Sequence, residues 1–276
     1  MKKILLILLF ITNKIYSQKS VEVNYLSKYK YTKQKDSANK NSKFIDIMYL
    51  EIGKKETRFY SYLKQLGIQN GDDDIKAKMS IEYVQQNLGR YNSENESEII
   101  LVNYKTKQVT VKDKLTRGGK AYFYFENITA PVWNISSDTI RILNLLCQKA
   151  TTNFKGRYFT AWFAKEIAYP YGPWLFSGLP GLILKVEDST HQFIFECTGL
   201  DNKMSEKSVL KEYQDCKIIS KKGIKKLKKL KEVDRSTFDQ LENPNLLITT
   251  TNNISGASTT TRLKIKPYNP IDIADK

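Results

Sequence analysis

The sequence predicts a mainly β chain of the α+β class: a curved antiparallel sheet, or an open barrel-like sheet, with a C-terminal amphipathic helix. Three observations predict it. The chain carries 17 Tyr and 12 Phe, many beside β-branched residues, a composition that favours pleated, half-buried surfaces. Strand-length apolar runs recur too closely for crossover helices, so neighbouring strands must run antiparallel. Helical periodicity with flanking charge is strongest after residue 205, where lysines surround a narrow apolar stripe.

Residues 1–17 read as a signal peptide, with basic Lys2 and Lys3, an apolar run from Ile4 to Ile11, and small Ser17 ahead of Gln18. That run is too short to span a bilayer. Removing it with Lys2, Lys3 and Lys14 takes the net charge from +16 to +13, so the excess belongs to the folded part. Residues 18–266 are expected to form one β-rich domain, and residues 267–276 a polar tail.

Within that domain Val21 to Thr32 alternates apolar and polar side chains and predicts the first strand. Lys33 to Lys43 is polar and reads as a loop, and Phe44–Leu50 and Thr57–Leu63 pair around Gly53-Lys54-Lys55-Glu56. Gly71-Asp72-Asp73-Asp74 lacks the later glutamate of a calcium loop and reads as a solvated turn, followed by a short helix over Ile81–Leu88. Glu98–Tyr104 and Gln108–Val111 form a hairpin at Lys105-Thr106-Lys107, and Ala121–Glu126 is the next strand.

Four strands are then expected over Thr139–Ala150, Tyr158–Lys165, Leu182–Asp188 and Gln192–Thr198, the last two joined at Asp188-Ser189-Thr190-His191. Between them, Tyr171 to Leu184 packs three glycines, two prolines and three aromatics into one stretch. Residues before proline are driven to extended conformations, so no helix crosses it. Leu179-Pro180-Gly181 suits a type II turn, and Trp174, Phe176 and Leu179 are expected to plug the core of the sheet.

The helical segment, about residues 205–242, places Ile224, Leu227, Leu230, Phe238 and Leu241 on one stripe, with a break near Asp234 and Ser236. Its expected role is to close one side of the sheet with its lysines in water; peripheral contact with an anionic membrane is the alternative. Leu246–Thr251 and Thr259–Ile265 predict a last hairpin.

The residues from about Thr139 to Phe195 carry a resemblance. Cys147-Gln148-Lys149-Ala150, Gly156-Arg157-Tyr158, Ala161-Trp162-Phe163, Gly172-Pro173-Trp174 and the hexapeptide Gly178-Leu179-Pro180-Gly181-Leu182-Ile183 resemble the GLPGLI family of exported Bacteroidetes proteins. The resemblance implies a periplasmic, outer-membrane-associated or secreted setting. It implies no catalytic residue, and Gly178 to Ile183 enter as a structural motif.

Chemistry is sparse. HExxH, GxxxxGK[ST], GxGxxG and GxSxG are all absent from the sequence, which removes support for zinc proteolysis, nucleotide binding and a serine elbow; no cofactor or metal is expected. His191 is the sole histidine and falls in a hairpin loop. Cys147, Cys197 and Cys216 lack metal-site spacing, and one disulfide with one thiol or three thiols both fit. The ligand-binding candidates are Arg157, Trp162, Tyr171, Trp174 and Phe176, since a guanidinium framed by aromatics can hold a carboxylate or phosphate. Glu166, Glu187 and Asp188 are the nearest acids for a carboxylate-dependent hydrolase. The expected function is a non-enzymatic binding module for an apolar or anionic envelope ligand, lipid or protein, with no nucleic acid partner. The alternatives are that hydrolase and a protein-interaction module docking on an outer-membrane partner through an apolar patch around Trp174.

Overall fold

The computed structural model describes residues 21–35, 37–67, 96–115, 120–202, 207–208 and 216–242. The proposed signal peptide, the Asp72 cluster, the Ile81 helix, the last hairpin and the tail lie outside the described residues. Strands β1 (Val21–Glu22), β2 (Tyr25–Gln34), β3 (Lys43–Ile52), β4 (Glu56–Ser61), β5 (Ile99–Asn103), β6 (Gln108–Lys114) and β7 (Ala121–Asn127) come first. They are followed by β8 (Asn134–Ile142), β9 (Leu145–Phe154), β10 (Arg157–Ala164), β11 (Leu182–Asp188), β12 (Phe193–Asp201), β13 (Lys207–Ser208) and β14 (Lys217–Ile218). Helices α1 (Lys221–Val233) and α2 (Arg235–Glu242) close the described chain.

Twelve strands form one open sheet in the order β14-β7-β6-β5-β4-β3-β2-β12-β11-β10-β9-β8, antiparallel except for the short β14–β7 pair; β1 pairs with β13 separately. This order forces the sheet to roll. Strands β7 and β8 are consecutive in the chain yet ten strand spacings apart in the sheet, roughly 48 Å if it were flat. Only residues 128–133 join them, and that length of chain reaches at most about 25 Å. The two ends of the sheet therefore curl toward each other and leave a seam, which residues 128–133 cross. The barrel stays open because no backbone pairing bridges the seam among the described residues.

Two-residue turns at Leu143-Asn144 and Lys155-Gly156, all four at positive φ, connect β8 to β9 and β9 to β10. Both have the primed geometry that matches strand twist. The expected single strand over Thr139–Ala150 is thus corrected to two strands: Asn144 accepts positive φ readily, but Leu143 before it hides the turn from a search for glycine.

Strand alternation sends one set of side chains to the inner face. Met48, Leu50, Phe59, Ile100, Val111, Phe159, Ala161, Phe163, Val186, Phe193 and Phe195 meet there in one core. Residues 165–181 leave the sheet and pack onto this face between β10 and β11. At the other end α1 and α2 cover β6 and β7, with Ile224 and Phe238 buried against Leu115. Ser220 caps α1 by accepting from the Gly223 N–H at 3.0 Å. Asp234 ends α1 and caps α2, accepting from the Thr237 N–H at 3.0 Å, which is the break the sequence predicts.

Lys222, Lys226 and Lys229 lie in water as expected, but two other lysines of α1 do not. Lys228 reaches under the helix to Asp113 at 2.7 Å and also to Glu98, and Lys221 pairs with Glu126 at 2.9 Å. A sheet face that carries two buried or half-buried acids draws cations inward, because an uncompensated buried carboxylate is costly.

Candidate functional site

The segment from Tyr171 to Gly181 shapes the interior. Phe176 is 1% exposed and touches the rings of Trp133, Phe154, Phe159, Trp174 and Phe195. Trp174 is buried at φ 54°, in a turn closed by the Phe176 N–H donating to the Pro173 carbonyl at 3.1 Å. A bulky side chain in that region carries strain of about 1–3 kcal/mol, sustained here by the edge-on packing of its ring against Phe154 and Phe176. The segment is tied down at several points: Trp133 Nε1 donates to the Ser177 carbonyl at 2.8 Å, Gly178 N–H to the Pro170 carbonyl at 2.9 Å, and Tyr29 Oη to the Ile183 carbonyl at 2.7 Å.

The expected type II turn at Leu179-Pro180-Gly181 is corrected. Gly181 N–H donates to the Leu179 carbonyl at 2.8 Å, a three-residue γ-turn around Pro180, and Gly181 sits at φ 155° rather than near 80°. Glycine is required here for space as well as conformation, since a Cβ would lie 2.2 Å from the Ala164 carbonyl oxygen.

The five ligand-binding candidates do not converge. Trp174 and Phe176 are core, with Leu179, Leu182 and Ile183 around them. Tyr171 is half-buried and stacks on Tyr104 at 4.4 Å. Arg157 faces inward, where it pairs with Asp188 at 3.2 Å, donates to Gln192, and lies 4.6 Å from the centre of the Phe193 ring. Trp162 is on the opposite face, between its cross-strand neighbours Lys149 and Lys185. Five residues apart on a regular strand means opposite faces, so the imagined guanidinium-in-aromatics site is not formed. Trp174, being buried, presents no exposed patch either.

The acids near the motif also stay apart. Asp188 is 2% exposed and accepts from Arg157, Thr190 and the Phe193 N–H, whereas Glu187 points outward to Lys185 and His191, and Glu166 is exposed. His191 is thus a solvated hairpin residue at φ 53°. No disulfide joins Cys147, Cys197 or Cys216. Burial pushes the Cys197 thiol up to about 12, and Cys147 is raised for the same reason.

The feature that does have the shape of a site lies at the seam. A shallow cleft with about 10 Å³ of enclosed space is lined by apolar Val102, Val109, Ile128 and Leu175 together with polar Tyr104, Ser177, Glu126 and Lys155. Lys155 stands at the apex of the β9–β10 turn and meets Glu126 of β7 across the seam at 3.7 Å, while Lys221 holds the same carboxylate at 2.9 Å. Burial raises the Tyr104 hydroxyl to about 12, so it is a neutral donor at physiological pH. Sequence reading missed Lys155, Glu126 and Tyr104. The Lys155-Gly156 turn was visible locally, but its meeting with β7 depends on the roll of the whole sheet.

No family model and no curated protein matches the chain. Two crystal structures of PNGF-II, in space groups P21 and C2, are similar to it with a TM-score of 0.49 at 16% and 15% identity, covering 73% of this chain. The chain spans about a third, 32%, of the length of those PNGF-II chains.

Proposed function

We propose that this protein is an exported, non-enzymatic envelope module of the GLPGLI kind whose seam cleft takes an apolar ligand with an anionic end. The observation that carries this reading is the mixed lining of the cleft, in which Val102, Val109, Ile128 and Leu175 stand with the Lys155 ammonium. A ligand carboxylate or phosphate would compete with Glu126 for Lys155, the looser of the two lysines on that carboxylate, while Lys221 keeps Glu126 neutralised. Tyr104 and Ser177 stand beside it as neutral polar contacts. The enclosed space has room for about one water, so the cleft receives the anionic end of a ligand at Lys155 while the apolar part lies along the open mouth.

Titration with a fluorescent fatty acid tests the reading. The wild-type protein is expected to bind it, and Lys155→Met to weaken binding about ten-fold through loss of one charge-assisted contact. Thr129→Trp, an exposed residue at the mouth, should block the cleft without touching the core. Absence of binding by the wild-type protein, or equal binding by all three, overturns the proposal.

A further inference from the structure

Strands β6 and β7 sort their charges by face. Their acids, Asp113 and Glu126, point inward and are paired with Lys228, Lys221 and Lys155. Their outward positions carry Thr110 and Lys112 opposite Phe125 and Phe123, and Lys114 opposite Ala121. Strand β14 extends this outer surface, since Ile218 pairs beside Phe123. The result is an exposed apolar cluster: Phe125 is 49% and Ile218 76% exposed, and Phe123 packs edge-on against Phe125 with ring centres 5.2 Å apart. Lys217, paired with Tyr122, is exposed on the other face of β14. No carboxylate lies among these outward positions of β6, β7 and β14.

The helix that follows supplies charge but no insertion surface. Its apolar stripe is spent on the sheet, with Ile224 and Phe238 buried, and Lys222, Lys226 and Lys229 form an exposed row that starts four residues after Ile218. Membrane contact through the helix alone would lack the apolar face that interfacial binding requires.

We propose that the outer face of β6, β7 and β14 is a docking surface for an anionic lipid bilayer, with Phe125 and Ile218 entering the headgroup boundary and the surrounding lysines meeting lipid phosphates. Charge complementarity selects this occupant, because exposed aromatic and aliphatic side chains beside Lys112 and Lys114 suit an anionic interface. Each lysine close to such a surface strengthens association about five-fold. The surface lies on the opposite face of β7 from Glu126, so it is independent of the seam cleft.

Co-sedimentation of the purified protein tests it, using vesicles of phosphatidylethanolamine with phosphatidylglycerol against vesicles of phosphatidylcholine. The wild-type protein is expected to pellet with the anionic vesicles only. The double variant Phe125→Ser, Ile218→Ser should lower its partition about ten-fold while its thermal unfolding is unchanged, since both side chains are exposed. Lys155→Met should pellet as the wild type does, which separates this surface from the cleft. Failure of the wild-type protein to pellet with anionic vesicles overturns the proposal. So does an unchanged partition for the Phe125 and Ile218 variant alongside a loss for Lys222→Glu, Lys226→Glu, Lys229→Glu, which would assign the contact to the helix.

Discussion

The inner face of one rolled sheet is covered in two different ways. Over β9 to β12 it meets an irregular segment rich in glycine and proline, and the contact is mainly apolar: Phe159, Phe163 and Phe195 lie around Phe176 and Leu179, with the Arg157–Asp188 pair confined to the hairpin end of β10 and β11. Over β5 to β7 it meets a basic helix pair, and the contact is ionic as well as apolar. Asp113 is 1% exposed and held by Lys228 and Ser97, Lys231 donates to the Leu115 carbonyl at 2.5 Å, and Tyr122 donates to Glu242 at 2.5 Å. Burial first, and Glu98 next, raises Tyr124 well above the ordinary tyrosine range. The same alternation of side chains thus specifies a plug where the inward residues are aromatic and a clamp where they are acids. A plug is stabilised by packing and is indifferent to salt; a clamp can loosen locally while the sheet stays folded.

Removing the centre of the plug gives the sharpest contrast. Phe176→Ala should cost about 3–5 kcal/mol, because five aromatic neighbours lose their common contact and the site is too constrained to collapse. Chemical denaturation measures it, and the midpoint shift should be the same at low and high salt. Gly181→Ala tests the same half through the backbone, since its Cβ has no space beside the Ala164 carbonyl. A loss under about 1 kcal/mol for Phe176→Ala would mean the segment is an appended loop and the comparison fails.

The clamp should respond more weakly and more locally. Lys228→Met leaves Asp113 buried with its Ser97 bond but without its ammonium partner. Since Lys228 and Glu98 are 21% and 32% exposed, water offsets part of the penalty, and about 1–3 kcal/mol is expected. Hydrogen exchange should show α1 and β7 opening while β10 to β12 keep their protection. Equal loss of protection in both halves would show that helix and plug unfold as one unit.

Much of this contrast was legible in the sequence, and what was not has a common cause. Alternation and turn residues place most of the strands, and Asp234 marks the helix break, because these signals act over a few residues. Parity alone already separates Arg157 from Trp162. The Leu143-Asn144 turn escaped notice for want of glycine. The seam escaped for a deeper reason: Lys155 meets Glu126 only because a short link between β7 and β8 forces a large sheet to curl, a constraint visible only once the strand order is known. The inward turn of Lys221 and Lys228 likewise depends on which face Asp113 and Glu126 occupy.

Thiol chemistry offers the mildest probe, since it leaves the protein unaltered. Cys147 and Cys197 are buried in the plug half, and Cys216 lies just ahead of β14 on the clamp side, half-buried. The raised thiols of Cys147 and Cys197 mean that the native state favours their neutral form. Their contribution to stability is complete below the ordinary thiol value of 9 and is lost as pH climbs through the range up to about 12 for Cys197. At pH 8 both are therefore protonated as well as enclosed, and the thiolate is the reacting species. A disulfide reagent should modify one thiol per chain promptly at that pH, with Cys216→Ala removing the prompt signal, and the other two only at the rate of global unfolding. In Lys228→Met the prompt signal should quicken while the slow one keeps its rate relative to global unfolding; if Cys147 or Cys197 became prompt as well, opening the clamp would have opened the plug, and the two halves would be one.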